Sequence, residues 1–315
     1  MTNPLSKIIH PWFPSTALGL EQGTASMVEL ERRGGVGSLR RAATMKLPEA
    51  LIRPSFDEPN IADHSELATA LSELASSAGL MRQKRWSVSL PEATTRTLIV
   101  TLEAQPGSHS ELEEVLRWKM DRSFGVPLDE LSISRERLAK DAQGRDRYRV
   151  VATRLVLLDE YESLFSALGW RAGLVLPRHL GESQWLTRNG FTDDSLLLST
   201  TNEGFTAVVF RDKQPLIFRS IECNPDERDD ELYRLLLFYR DRRATDSSET
   251  DQVLARFLLT GTGFSKARAS EIVNESIGGD LRPLDAEDLG LRLPSRELDF
   301  DTIAAPAGLA TLSWK

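Results

Sequence analysis

Apolar and polar positions along the chain alternate in short runs that switch between the two-residue period of strands and the 3.6-residue period of helices. Ala17–Leu20 forms a short apolar strand, closed by the turn Glu21-Gln22-Gly23-Thr24. Ala25–Glu31 alternates as its partner, with Met27, Glu29 and Glu31 opposite Val28 and Leu30. The Gly34–Gly37 turn leads into a strand over Leu39–Leu47. Its glycines sit between two strands with no following Lys-Ser/Thr, so they make a hairpin and not a phosphate loop. Residues 48–63, rich in proline and acid, read as a loop. His64–Ala78 is a helix with Leu67, Ala70, Leu71, Leu74 and Ala78 on one face and Gly79 at its end. Strands at Trp86–Leu90 and Thr95–Leu102 precede a helix over Ser110–Phe124, for which Ser110 is the expected cap and Leu112, Val115, Leu116 and Met120 the buried stripe. Paired strands at Leu131–Leu138 and Arg147–Leu155, a helix over Leu158–Leu168 and a strand at Gly173–Leu176 complete the first half.

From Asp194 the pattern starts again, with strands at Leu196–Thr200, Phe205–Arg211 and Leu216–Ile221 joined by tight turns. A helix over Asp229–Arg243, a polar linker over Ala244–Asp251, a strand at Phe257–Thr260, the turn Gly261-Thr262-Gly263 and a helix from about Ser265 follow. Two such copies predict a duplicated α/β fold with a cleft between lobes.

Composition narrows the function. The 315 residues are 40% hydrophobic and 27% charged, as in ordinary soluble proteins, and the net charge of −8 disfavours a nucleic-acid binder, which needs a basic surface. The single cysteine, Cys223, excludes an intrachain disulfide and any site of several thiolates, and fits a reducing compartment. No apolar run approaches the ~20 residues of a membrane span. Ile8, Ile9, Trp12 and Phe13 lack the layout of a signal peptide, so a cytoplasmic chain is expected, with these residues packed on its own core. The histidines, His10, His64, His109 and His179, show no metal-binding spacing, and no nucleophile elbow is present.

Four segments resemble the PilM family of type IV pilus assembly proteins, relatives of the actin-like cell-division protein FtsA. They are Leu18-Gly19-Leu20-Glu21-Gln22-Gly23-Thr24-Ala25-Ser26 with Val28-Glu29-Leu30, the helix-to-proline stretch from Leu112-Glu113-Glu114-Val115 to Phe124-Gly125-Val126-Pro127, Leu259-Thr260-Gly261-Thr262-Gly263-Phe264-Ser265, and Ala307-Gly308-Leu309-Ala310. The resemblance implies a two-lobed actin-like fold of the ASKHA type, a duplicated ribonuclease H-like unit. Residues 1–16 would then be an N-terminal arm. Lobe 1 would span 17–190 with an inserted subdomain at about 84–155. Lobe 2 would span 191–315, with the subdomain after about residue 222 largely missing. It also implies a cytoplasmic adaptor, peripheral to the inner membrane, that binds the N-terminal cytoplasmic peptide of PilN. Pilus motor ATPases and self-association enter as further partner expectations.

The same resemblance suggests a residual nucleotide site at Glu21, Gly23, Thr24, Ser26, Thr200, Gly261, Thr262 and Gly263, with ATP and Mg²⁺ as ligands by family likeness alone. Departures argue against turnover. Glu21 replaces an Asp and is one methylene longer, Ser199 stands where a second Asp is expected, and Thr201 stands where Gly lets a phosphate approach. No cofactor, metal or catalytic residue is therefore expected. The family's peptide groove corresponds to Arg96, Arg117, Trp118, Phe124, Val126 and Pro127. The alternatives are an actin-like ATPase or nucleotide switch, which needs carboxylates converging from both lobes, and the cytoplasmic module of a type II secretion platform, which continues into a membrane helix.

Overall fold

The computed structural model describes residues 13–33, 36–188, 193–245, 254–294 and 298–314. The expected arm up to residue 12, with Ile8, Ile9, His10 and Trp12, the Gly34-Gly35 pair and the linker from residue 246 lie outside them.

β1 (Thr16–Glu21), β2 (Thr24–Arg33) and β3 (Val36–Lys46) form the antiparallel meander that the first alternating runs predict. β4 (Arg85–Leu90) and β8 (Arg171–Pro177) join in parallel beyond β1, and the short β13 (Leu291–Arg292) joins beside β3, giving the order β13-β3-β2-β1-β4-β8. The second half repeats the plan. β9 (Asp194–Thr201), β10 (Gly204–Arg211) and β11 (Gln214–Glu222) form a meander, and β12 (Leu254–Gly261) pairs in parallel with β9, in the order β11-β10-β9-β12.

An insertion after β4 carries a third, antiparallel sheet of β5 (Arg96–Thr101), β6 (Leu131–Leu138) and β7 (Arg147–Arg154), ordered β5-β7-β6. Helix α2 (His109–Phe124) covers one of its faces, burying Leu116, Met120 and Phe124 against Val100, Val150 and Ala152. Its cap is Ser108, not the expected Ser110. The Ser108 hydroxyl accepts from the Glu111 N–H at 3.1 Å, so the helix begins a residue earlier and the hydroxyl serves the third helical amide.

The main body is layered. Successive residues of the central strands point to opposite faces, so these strands are buried on both sides. Leu18 and Met27 face α1 (His64–Ser77) and α3 (Leu155–Ala167), whereas Ala17 and Val28 face the middle of the molecule. In the second lobe Leu196 and Leu198 face α5 (Arg228–Thr245) and α6 (Lys266–Ile277), whereas Leu197 faces inward. Between the two sheets lie α4 (Arg178–Thr187) and α7 (Phe300–Ala310).

Helix α4 has no counterpart among the elements read from the sequence. It crosses α7 in such close contact that a Cβ at Gly308 would lie 1.9 Å from the Gly181 carbonyl oxygen, and one at Gly181 would lie 2.4 Å from that of Ala305. Only glycine permits that approach. Trp185 Nε1 locks the crossing by donating to the Ala304 carbonyl at 2.7 Å. Because β8 runs straight into α4, Arg178 is delivered to the seam between the lobes.

Candidate functional site

A cavity of about 1350 Å³ is lined by both lobes and by the insertion. Glu21, Thr24 and Ser26 reach it from the first hairpin, Thr200 from β9, and Gly261 and Thr262 from the turn after β12, so most of the expected nucleotide set converges there. Gly23 shapes the hairpin turn at φ 73° and Gly263 the second-lobe turn, but neither lines the cavity. The Ser26 hydroxyl, buried, donates to the Thr302 carbonyl of α7 at 3.2 Å and so serves packing.

A guanidinium occupies the floor. Arg178 is buried and donates from Nε to Glu182 Oε1 at 2.7 Å and from Nη1 to the Thr200 carbonyl at 3.3 Å, and Nη1 lies 3.6 Å from Glu21 Oε2. Burial works to lower the Arg178 pKa, but the carboxylates of Glu182 and Glu21 outweigh it and raise it. Glu21 is pushed up to about 7, chiefly by removal from bulk water; Arg178 opposes this, and Glu182 and Glu92 add to it. Glu182 Oε2 is buried without a hydrogen-bond partner. Asp301, on α7 at the same floor, is pushed up to about 6, again chiefly by burial, against the pull of Lys266.

A second link joins the insertion's base to both lobes. Glu92 accepts from the backbone N–H of His179 at 3.2 Å, from Nδ1 of the His179 ring at 2.6 Å and from the Thr206 hydroxyl at 3.2 Å. An ionised carboxylate only accepts, which places the ring proton on Nδ1. Burial works to raise the Glu92 pKa, yet the attraction of His179 and these hydrogen bonds hold it below the usual carboxylate value.

The glycine turn after β12 is tied shut against the second hairpin. Arg228 donates to the carbonyls of Gly263 (2.6 Å), Thr201 (3.2 Å) and Asn202 (3.0 Å). The Thr200 hydroxyl donates to the Thr260 carbonyl at 2.7 Å and accepts from the Gly263 N–H at 2.9 Å. Gly261 has φ 84°, and a Cβ there would lie 2.0 Å from the Thr200 carbonyl oxygen, so its glycine is required by packing.

The cavity continues as a groove onto the insertion. Of the expected partner-binding residues, it takes in Arg96 and Trp118. Arg96 donates to the Phe124 carbonyl at 2.6 Å and to Asp57 Oδ2 at 3.2 Å and covers the Phe56 ring at 4.2 Å. Trp118 is 59% exposed. Phe124 is fully buried in the insertion core, which removes its side chain from any partner-facing set. Val126 is half-buried against that core, and Arg117 and Pro127 are exposed outside the cavity.

The architecture is similar to a solved structure described as the PilM-PilN type IV pilus biogenesis complex, with a TM-score of 0.70 at 18% identity over 97% of this chain and 100% of that one. The chain is PilM-like in fold. Two other structures are similar at lower scores. One is a Bacteroides thetaiotaomicron protein of unknown function with an actin-like ATPase fold (TM-score 0.47, 12% identity, 96% of this chain and 98% of that one). The other is the cytoplasmic domain of EpsL, an inner-membrane component of the type II secretion system of Vibrio cholerae (TM-score 0.46, 11% identity, 95% of this chain and 93% of that one). No protein-family model matches the sequence, and no curated protein matches it either.

In this PilM-like fold, Arg178, Glu182, Glu92 and Arg228 are the site residues that sequence reading missed. One signal was present, since Arg178 and Glu182 have the i,i+4 spacing of a helical ion pair. The Mg²⁺-triphosphate that the sequence resemblance suggests does not fit these side chains. A metal ion at Glu21 would face the guanidinium that already pairs with it, and Ser199 supplies no second carboxylate.

Proposed function

We propose that the chain is a non-catalytic adaptor of type IV pilus assembly, cytoplasmic and peripheral to the inner membrane, that binds the N-terminal cytoplasmic peptide of a PilN-like inner-membrane protein. One observation carries the non-catalytic part. Arg178 joins Glu21 of the first hairpin to the Thr200 carbonyl of the second, at the point where an actin-like ATPase gathers phosphates. A cation fixed there takes the place of metal and water chemistry, and it ties the lobes together instead. The similarity to the PilM–PilN complex supports the pilus assignment, and the groove ending at exposed Trp118 supports the peptide.

Titrating the purified chain separately with Mg²⁺-ATP and with the N-terminal peptide of the PilN-like protein from the same organism tests this reading. Saturable peptide binding without phosphate release is expected. Steady ATP turnover, or a peptide that does not bind, overturns it. Contact with motor ATPases and self-association belong to the same reading and are measured by co-purification and light scattering.

A further inference from the structure

Two sheets end on open edges inside the same cavity. Among the described residues, β5 pairs only with β7, and β11 pairs only with β10. Every residue of β5, and β11 from Leu216 to Glu222, lines the cavity. In an antiparallel pair alternate residues turn their N–H and C=O away from the partner strand, so each edge offers a row of backbone donors and acceptors. On β11 that row is partly used, because Arg147 donates to the carbonyls of Pro215 (2.7 Å) and Leu216 (3.3 Å). Among the described residues, the backbone of Thr97–Thr101 makes no hydrogen bond beyond its ladder with β7. An edge of this kind is normally shielded by charge, a bulge or a covering element. Here it faces a groove instead.

Charge distinguishes this end of the cavity. The chain as a whole carries −8, yet Arg96, Lys119, Arg122, Arg147, Arg219 and Arg242 line the cavity here against Asp57, Glu103 and Glu222. Asp57 pairs with Arg96 at 3.2 Å and Glu103 with Lys119 at 3.7 Å. Arg122 and Arg219 have no carboxylate partner among the described residues. Each instead lies over an exposed ring, Arg122 over Trp118 at 5.7 Å and Arg219 over Phe238 at 5.9 Å. The two come from different walls, α2 of the insertion and β11 of the second lobe.

We propose that the partner docks by strand addition: an extended segment pairs with the open edge of β5, with β11 as the facing wall, and sets carboxylates against Arg122 and Arg219. This rests on the adaptor reading and specifies how its peptide is held. Backbone pairing supplies affinity that tolerates sequence change. Side chains at every second position, together with the two arginines, supply the selectivity.

The test is a methylation scan. Full-length protein is titrated, by fluorescence anisotropy, with the N-terminal peptide of the PilN-like protein and with copies N-methylated at one backbone nitrogen each. Strand addition weakens binding about tenfold at every second position of the paired stretch and leaves the positions between nearly unchanged. Amide exchange on β5 slows in the same alternating pattern when peptide is added. Arg122→Glu and Arg219→Glu each weaken binding about tenfold, and both losses shrink at high salt. If the unmethylated peptide does not bind, the adaptor reading itself falls. If it binds and the scan shows no alternation, strand addition is wrong and the adaptor reading stands. Unchanged affinity in both arginine variants removes the carboxylates. Protection of β5 that rises with protein concentration in the absence of peptide assigns the edge to a second copy and overturns the proposal.

Discussion

Arg178 and Glu182 lie one helical turn apart on α4 and meet at 2.7 Å, with side-chain exposures of 8% and 0%. The same guanidinium reaches Glu21 in the first lobe and the Thr200 carbonyl in the second, so one buried side chain spans the seam. Breaking a buried pair from one side leaves an uncompensated charge and costs about 3–5 kcal/mol, whereas apolar replacement of both partners is often neutral. Arg178→Met is therefore expected to destabilise strongly in urea unfolding, and Arg178→Met/Glu182→Met to recover most of the loss. Additive losses in the double variant would show that the two charges are not a unit.

Stability should fall as pH rises through the weakly acidic range. Burial pushes Glu21 up to about 7 in the folded protein from 4.5 for a freely hydrated glutamate, so between these values the folded state holds a proton that the unfolded state has released. Its contribution is greatest below the unfolded value and is lost as pH approaches 7. Asp301, at about 6, acts in the same direction. Glu92, whose pKa is lowered, acts oppositely, its contribution being lost only as pH falls below the ordinary carboxylate range. At one pKa unit to 1.36 kcal/mol, Glu21 accounts for about 3 kcal/mol at most. Melting curves from pH 4.5 to pH 7.5 should show the decline, and Glu21→Gln should remove the larger part of it. A slope unaffected by that substitution would assign the effect elsewhere.

The two meanders were legible because their short apolar runs, with alternation over Ala25–Glu31, are punctuated by turns that carry Gly23 and the Asp212–Lys213 pair, all at positive φ. Helix α4 was not legible. Arg178, His179, Gly181, Glu182 and Ser183 are all buried beside Leu180, Trp185 and Leu186, so the helix has no solvent-facing polar stripe from which a period is read. Sandwiched between two sheets, it buries polar groups that find partners far away in sequence. Glu92 meets His179 across 87 residues, and Arg228 meets Gly263 across 35. Such pairs leave no local trace. Trp118 and Phe124 show the converse, since both occupy a helical apolar pattern and only tertiary packing decides that one faces water and the other the core.

That difference separates binding from folding. Phe124→Ala, at a fully buried site of the insertion core, is expected to cost about 3–5 kcal/mol. Trp118→Ala, at a side chain 59% exposed, is expected to leave the melting temperature nearly unchanged and to weaken peptide binding about tenfold. Thermal melts and peptide titrations of the two variants provide the comparison. Equal peptide affinity for Trp118→Ala and the unmodified protein would place the docking surface away from this groove.

Arg228 provides the last prediction, because it distinguishes a sealed glycine turn from one that is only narrowed. Its guanidinium holds three carbonyls, those of Gly263, Thr201 and Asn202, and the side chain is buried. Arg228→Ala leaves those acceptors without their donor and is expected to cost about 2–4 kcal/mol, less than the sum of three charged hydrogen bonds because water enters the opened turn. Amide exchange should quicken in the turns at 201–204 and 261–264 and stay slow in the core of the first lobe. The loosened turn should still not respond to Mg²⁺-ATP, since Arg178 continues to pair with Glu21 on the opposite wall. A ligand that binds only the folded state raises the melting temperature with its concentration. A flat melting temperature across a millimolar Mg²⁺-ATP series is therefore expected for both proteins. A rise confined to Arg228→Ala would mean that this arginine alone keeps nucleotide out, and a rise in the unmodified protein would restore the nucleotide-switch reading.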